Sequence, residues 1–248
     1  MHPVTTSELL IAWEIGLSQP PSRRALTLLA AACPNMPEEQ LASLCVGQRD
    51  GLLMSLREML FGSQLTSLSA CPACSERLEL TLDIADIRIN TESKPMPELS
   101  LELTGYQVNF RLPDSQDLML IEAGLDLAEA RTLLFERCVI LVAHDGQEQS
   151  AADLPDDVLN QIETAMSDAD PQADVQLNLA CPACRHNWLA SFDIASFLWC
   201  EINAWAQRLL NEVHSLAKTY GWREADILSL SSKRRQFYLA LVAETRGA

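Results

Sequence analysis

A mostly helical α+β fold is what the sequence predicts, on three observations. Both ends of the chain carry apolar residues at helical spacing. Strand-like alternation follows each of two Cys-Pro-Ala-Cys motifs. The two motifs also sit in closely similar text: "ACPACSERLELTLDIADI" begins at Ala70 and "ACPACRHNWLASFDIASF" at Ala180, 110 positions later. Asp83-Ile84-Ala85 returns as Asp193-Ile194-Ala195 in the same register. A structural unit written twice produces such a match readily.

The elements follow in order. Residues 1–62 read as an N-terminal helical bundle. Thr6 or Ser7 can cap the first helix, which carries Leu9, Leu10, Trp13 and Leu17 on one side. "PPSRRALTLLAAAC" opens with proline, tolerated in a first turn, and continues in helix-favouring alanine and leucine. "PEEQLASLCVG" and "QRDGLLMSLREMLFG" are expected to be helices that each stop at glycine. Residues 63–112 hold the first knuckle and a β-hairpin. Leu78, Leu80, Leu82 and Ile84 alternate as on a half-buried strand. In "LSLELTGYQVNFRL" a turn at Thr104-Gly105 would pair Leu103 with Tyr106 and Leu101 with Val108, putting both apolar sets on one face.

Residues 113–175 are expected to form an acidic helical insertion; the span holds 15 Asp or Glu against 2 Arg. Its helices are "DSQDLMLIEAG", "DLAEARTLLFERCVILVA" with an Asp-x-x-Glu capping pair, and "LPDDVLNQIETAM" after Asp153. The ordinary explanation of the acidity is solvated helix faces. Residues 176–194 hold the second knuckle and a strand through Trp188, Ala190, Phe192 and Ile194. Residues 195–248 are C-terminal helices. The first is long, its stripe running through Ile194, Leu198, Ile202, Trp205, Leu209, Val213 and Leu216. "EADILSL" and "SSKRRQFYLALVAE" close the chain, the latter capped by Ser231 or Ser232.

Composition narrows the function. The net charge of −16 weighs against nucleic acid or an anionic membrane as a partner, since both call for a basic footprint. "SSKRRQ" is too short a basic cluster to reverse that. Glu8 and Glu14 interrupt the first apolar run, so no signal peptide is expected. No uncharged apolar stretch approaches the roughly eighteen residues of a membrane span. A cytoplasmic location follows, where thiols stay reduced and eight cysteines need another explanation than disulfides.

Two thiolates spaced Cys-x-x-Cys reach one zinc, and tetrahedral zinc takes four ligands. Each "CPAC" therefore supplies half a site. Cys71, Cys74, Cys181 and Cys184 are the expected ligands of one structural zinc ion, in a zinc-ribbon-like β element whose halves are 106 residues apart. The competing reading is a thiol-redox enzyme. A redox dithiol favours a helix N-terminus, whereas strand-like alternation follows both motifs here. His186 reads as a polar knuckle residue. Cys33, Cys45, Cys138 and Cys200 read as small buried hydrophobes. No phosphate loop, His-Glu-x-x-His or nucleophile elbow is present, His144 and His214 read as structural, and no catalytic residue can be named. A zinc-ribbon binding module of some other assembly is a further alternative.

The order of segments carries a resemblance. "ELLIAWEIGLSQPPSRRALTLLAAA" is followed by "RDGLLMSLREMLFG", the first "CPAC", "FRLPDSQDL", the second "CPAC" and "YGWREADILSLSSKRRQFYL". This resembles small proteins encoded with contractile phage-tail-like injection systems, and is similar to the T4-type baseplate hub assembly chaperone family. The resemblance implies a non-enzymatic assembly factor or minor baseplate component, acting in the cytoplasm or incorporated into the particle. Its implied partners are baseplate or hub and spike proteins of a contractile particle, and zinc would then be scaffold. On that footing the C-terminal residues Trp222, Lys233, Arg234, Arg235 and Tyr238 are the expected partner surface. The three cations would dock an acidic site while the aromatic residues fix the helix that presents them; the plainer alternative is that these residues close the protein's own core.

Overall fold

The structure is a computed structural model and describes residues 1–89, 98–103, 105–122 and 124–246. Four helices come first: α1 (Thr6–Gly16), α2 (Pro21–Ala32), α3 (Glu38–Ala42) and α4 (Val46–Phe61). Thr5, and not Thr6 or Ser7, caps α1. Its hydroxyl accepts from the Glu8 amide while the Glu8 carboxylate accepts from the Thr5 amide at 2.8 Å. Gly47 does not end α3, as the sequence suggests; it lies in the first turn of α4. There its amide donates to Asp170 at 2.8 Å, and a Cβ would meet that carboxylate at 1.8 Å, so glycine is required by close approach. Gly62 ends α4 at φ +87°, as expected of a terminal glycine.

Each knuckle turns out to lie inside a hairpin. Strand β1 (Gln64–Ala70) runs into the first and β2 (Arg77–Asp83) out of it, followed by the single turn α5 (Ile84–Ile87). Later β7 (Val175–Ala180) and β8 (Asn187–Phe192) flank the second, followed by the 27-residue α9 (Ile194–Tyr220). The two hairpins remain separate two-stranded sheets. Between them lies a four-stranded antiparallel sheet in the order β3 (Leu99–Leu103), β4 (Tyr106–Phe110), β5 (Val139–His144), β6 (Gln147–Gln149). Leu103 faces Tyr106 and Leu101 faces Val108, the register expected from the alternation, with Gly105 at φ +87°. Thr104, the other residue of the expected turn, lies outside the described residues.

Three helices accompany this sheet: α6 (Ser115–Ile121), α7 (Leu127–Cys138) and α8 (Asp156–Ala169). Asp126 and Glu129 form the expected capping box on α7. The expectation that this helix continues through "CVILVA" is corrected: it stops at Cys138 and the chain becomes β5. The β-branched Val139, Ile140 and Val142 favour a strand, and Val142 pairs with Val108 of β4. The hairpin grouped with the first knuckle thus belongs to the sheet of the acidic span. Val108, Phe110, Phe135, Val142, Val158 and Ile162 form its core.

The main core lies among α1, α2, α3, α4 and the first half of α9, with Leu29, Leu41, Leu53 and Leu198 fully buried. The stripe of α9 is as read, except that Ala206 is buried where Trp205 is only partly so. Helices α10 (Glu224–Leu228) and α11 (Ser232–Arg246) fold back on the end of α9, around Val213, Leu216, Ile227 and Val242. The Arg234 amide donates to Ser231 Oγ, the cap expected for α11.

Candidate metal centre

The repetition in sequence is a repetition in structure. Strand pairing closes each knuckle at equivalent positions, Ala70 opposite Arg77 and Ala180 opposite Asn187. Within each six-residue loop, the first cysteine's amide donates to the sixth residue's carbonyl: Cys71 to Glu76 and Cys181 to His186, both 2.9 Å. The fifth residue's amide donates back to the first cysteine's carbonyl, from Ser75 at 2.8 Å and from Arg185 at 2.9 Å. Ser75 and Arg185 share φ 61°, a left-handed conformation costly for any residue with a Cβ. Such strain, of order 1–3 kcal/mol per residue, persists only where the surroundings over-determine the loop.

The base of each hairpin is anchored by matched residues as well. Leu65 and Val175, 110 positions apart, enter the main core, and so do Ile84 and Ile194 at 0% and 1% exposure. Asp83 accepts the Ala85 amide and caps α5; Asp193 accepts the amides of Ala195 and Ser196 and caps α9. The shared Asp-Ile-Ala is therefore a helix cap followed by a core anchor.

At the tips, Cys71, Cys74, Cys181 and Cys184 meet. All four sulfurs lie within 4.8 Å of one another, with Cys71 to Cys184 at 3.7 Å and Cys74 to Cys181 at 3.6 Å. A disulfide needs about 2.05 Å, and these cysteines are free. A tetrahedron of thiolates bound at about 2.3 Å has edges of about 3.8 Å. The cage fits a metal ion. Leu78, Leu80 and Trp188 pack beneath Cys71 and Cys181, which are buried, while Cys74 and Cys184 face outward.

The sulfurs respond unequally to this crowding. The Cys184 amide, helped by that of Ala183, brings the Cys181 thiol down to about 7. For Cys74 the Glu76 amide acts in the same direction, but the Cys184 and Cys181 sulfurs outweigh it and push the thiol up to about 12. Four thiolates this close repel one another, and a central cation removes that penalty. Both motifs occupy loops between strands, not a helix N-terminus. His186 contributes its carbonyl to the knuckle, and its ring lies 6.1 Å from that of Trp188.

The remaining predicted residues lie apart from this cluster, at the other end of α9. Trp222 stacks on Tyr220 at 4.7 Å and meets Tyr238 of α11 edge-on at 4.9 Å. Lys233 and Arg234 are exposed. Arg235 is not: it is 6% exposed, and its guanidinium donates to Glu212 at 3.1 Å and to the Leu230 carbonyl at 2.7 Å. It is an internal tie between α9 and α11. Cys33, Cys45 and Cys138 are buried as expected, whereas Cys200 is exposed.

Two buried ion-pair groups were missed in the sequence. Arg57 grips Glu201 with two bonds at 2.9 and 2.8 Å and also donates to the Gly62 carbonyl at 2.6 Å, setting the turn into β1 against α9. Asp117, fully buried, accepts from Arg111 at 2.6 and 2.9 Å and from Arg137 at 2.5 Å. Partners separated by 144 and 20 positions are joined only by the fold. Charged residues inside otherwise apolar helical stretches, such as Arg57 in "LREML", are the one hint available beforehand.

Among the described residues no helix is long and apolar enough to cross a membrane. Comparison with curated proteins and with solved structures gives no match. The family described as T4 bacteriophage base plate protein matches residues 6–199, from the start of α1 through both knuckles into α9. That covers 194 of 248 residues (199 − 6 + 1 = 194). The chain belongs to the T4 bacteriophage base plate protein family.

Proposed function

We propose that the protein is a zinc-stapled, non-enzymatic assembly factor or minor component of the baseplate or hub of a contractile, phage tail-like injection particle. Family membership supports a structural or assembly role at a baseplate. The observation that carries the zinc staple is the meeting of four sulfurs from two matched hairpins in a cage of tetrahedral size. Cysteine thiolates are soft donors, and a four-sulfur tetrahedron suits zinc with no position left open for a substrate. Cys71, Cys74, Cys181 and Cys184 would hold the ion. It would supply cross-linking, not catalysis.

In this reading the particle partner is a baseplate, hub or spike protein with an acidic site. Lys233 and Arg234 dock it, on a helix fixed by Trp222 and Tyr238. Arg235 supports that helix from inside through Glu212. Elemental analysis of protein purified under reducing conditions should find close to one zinc per chain; none, or two, refutes the shared staple. Deleting the gene should cut the number of complete sheathed particles seen by electron microscopy, and normal numbers would overturn the assembly role.

A further inference from the structure

Two exposed faces of this chain complement each other. The first is the outer stripe of α11. Lys233 and Arg234 stand exposed in its opening turn, Phe237 is 64% exposed and Leu241 37%, at intervals of three and four that align them on one side. Arg235, Tyr238 and Val242, on the other side of the helix, tie it to α9 and α10.

The second face is a groove between α1 and α2, a cavity of about 430 Å³. Ile11 and Ile15 form one wall, at 56% and 49% exposure, while Thr27, Ala30 and Ala31 on α2 are too small to fill the space opposite. Its rim is acidic. Glu8, whose carboxylate also accepts from Thr5 in the capping box, and Glu38, paired with Arg23 at 2.7 Å, line it, and Glu14 follows on the exposed side of α1.

We infer that the α11 stripe of one copy seats in the α1–α2 groove of a second copy. Phe237 and Leu241 would fill the apolar slot, and Lys233 and Arg234 would meet the glutamates at its rim. This rests on the reading of α11 as a docking surface and names the partner. Stripe and groove are different patches, so the contact is heterologous and joins copies head to tail into a ring or a short filament, not a closed two-fold dimer. In so acidic a chain, bringing the basic stripe to the partner is also the approach with the least mutual repulsion.

Sedimentation and light scattering of the full protein test this. The wild type should grow beyond monomer mass with a dissociation constant on the order of 10 μM, suited to a contact of one helix face. Phe237→Ala should weaken association about thirtyfold, the effect of losing a buried aromatic anchor. Phe237→Glu and Ile15→Arg, both at exposed positions and expected to melt like the wild type, should each remain monomeric. Mixed in equal amounts they should form a one-to-one dimer, because each keeps the half that the other lacks. A monomeric wild type, or a mixture that stays monomeric, overturns the inference. Particle yield separates it from the docking reading. If K233E/R234E lowers the yield while the wild type never self-associates, the stripe docks a different protein. If the yield is unchanged while self-association is intact, the contact stands and the docking role in assembly falls.

Discussion

Asp50 and Asp117 are both buried aspartates, and their surroundings move them in opposite directions. Burial lifts Asp50 to about 6, although Arg49 donates to it at 2.8 Å. Burial pushes Asp117 up too, but hydrogen bonds from Arg111, the Asp114 amide and Arg137 outweigh it and hold the carboxyl at about 2. The signs follow from an unfolded value of about 3.9. The folded state holds the Asp50 proton more tightly, so that residue's contribution is full below about pH 4 and is lost as pH rises through 6. Asp117 contributes above about pH 4, and its share is lost as pH falls through 2. Asp117→Asn should cost about 3 kcal/mol at neutral pH by stranding Arg111 and Arg137, and the variant should lack the acid-side loss. Asp50→Asn strips Arg49 of its partner, so the useful readout there is slope and not absolute stability. Urea midpoints between pH 4 and 7 should fall less steeply with rising pH in this variant than in the wild type. Parallel slopes would show that Asp50 titrates normally.

At the scale of elements, each knuckle hairpin is held at two ends by different means. The base is anchored in the main core through Leu65 and Ile84, or Val175 and Ile194, while the tip depends on the cysteines. Removing the proposed zinc with a chelator should therefore produce a gradient. Amides from Leu68 to Leu78 and from Leu179 to Trp188 should exchange faster, while those of α1, α2 and α4 stay protected, since their packing contains no cysteine of the cluster. Hydrogen exchange resolved by peptide reads this directly; uniform loss of protection across the chain would mean that the tips hold up the core. Much of this architecture was legible beforehand. Alternation gave the register of β3 and β4, and a sustained stripe gave α9. Of the strands leading into the knuckles, β1 was not legible, because "QLTSLSA" is rich in serine and threonine and only Leu65 of it is buried, whereas β7 carries a readable alternation of Val175, Leu177 and Leu179. Nor was β5, where a continuous apolar run fits a buried helix and a strand equally well until pairing with β4 decides.

For the whole molecule, the four cysteines join two Cys-x-x-Cys pairs that 106 residues separate along the chain, and the acidic span with its own sheet and core is threaded between them. In-register repetition made the cage readable from sequence, since loops that share Cys-Pro-Ala-Cys put matching sulfurs at their tips. The Arg57–Glu201 pair carried no such repetition. If one zinc ion closes this loop, its effect on stability belongs to the pair of knuckles and not to either alone. In chain-entropy terms, a cross-link across about 100 residues is worth about 5 kcal/mol. Cys71→Ser should lose most of that, because the three remaining thiolates no longer complete the tetrahedron, and Cys181→Ser should lose a similar amount. The double variant should be scarcely worse than either single one, since a broken cross-link cannot be broken again. Denaturant unfolding of the four proteins gives the coupling energy, expected to equal nearly the whole single-variant loss with opposite sign. Losses that simply add would mean that each knuckle stabilises the chain independently, and the shared centre would fall.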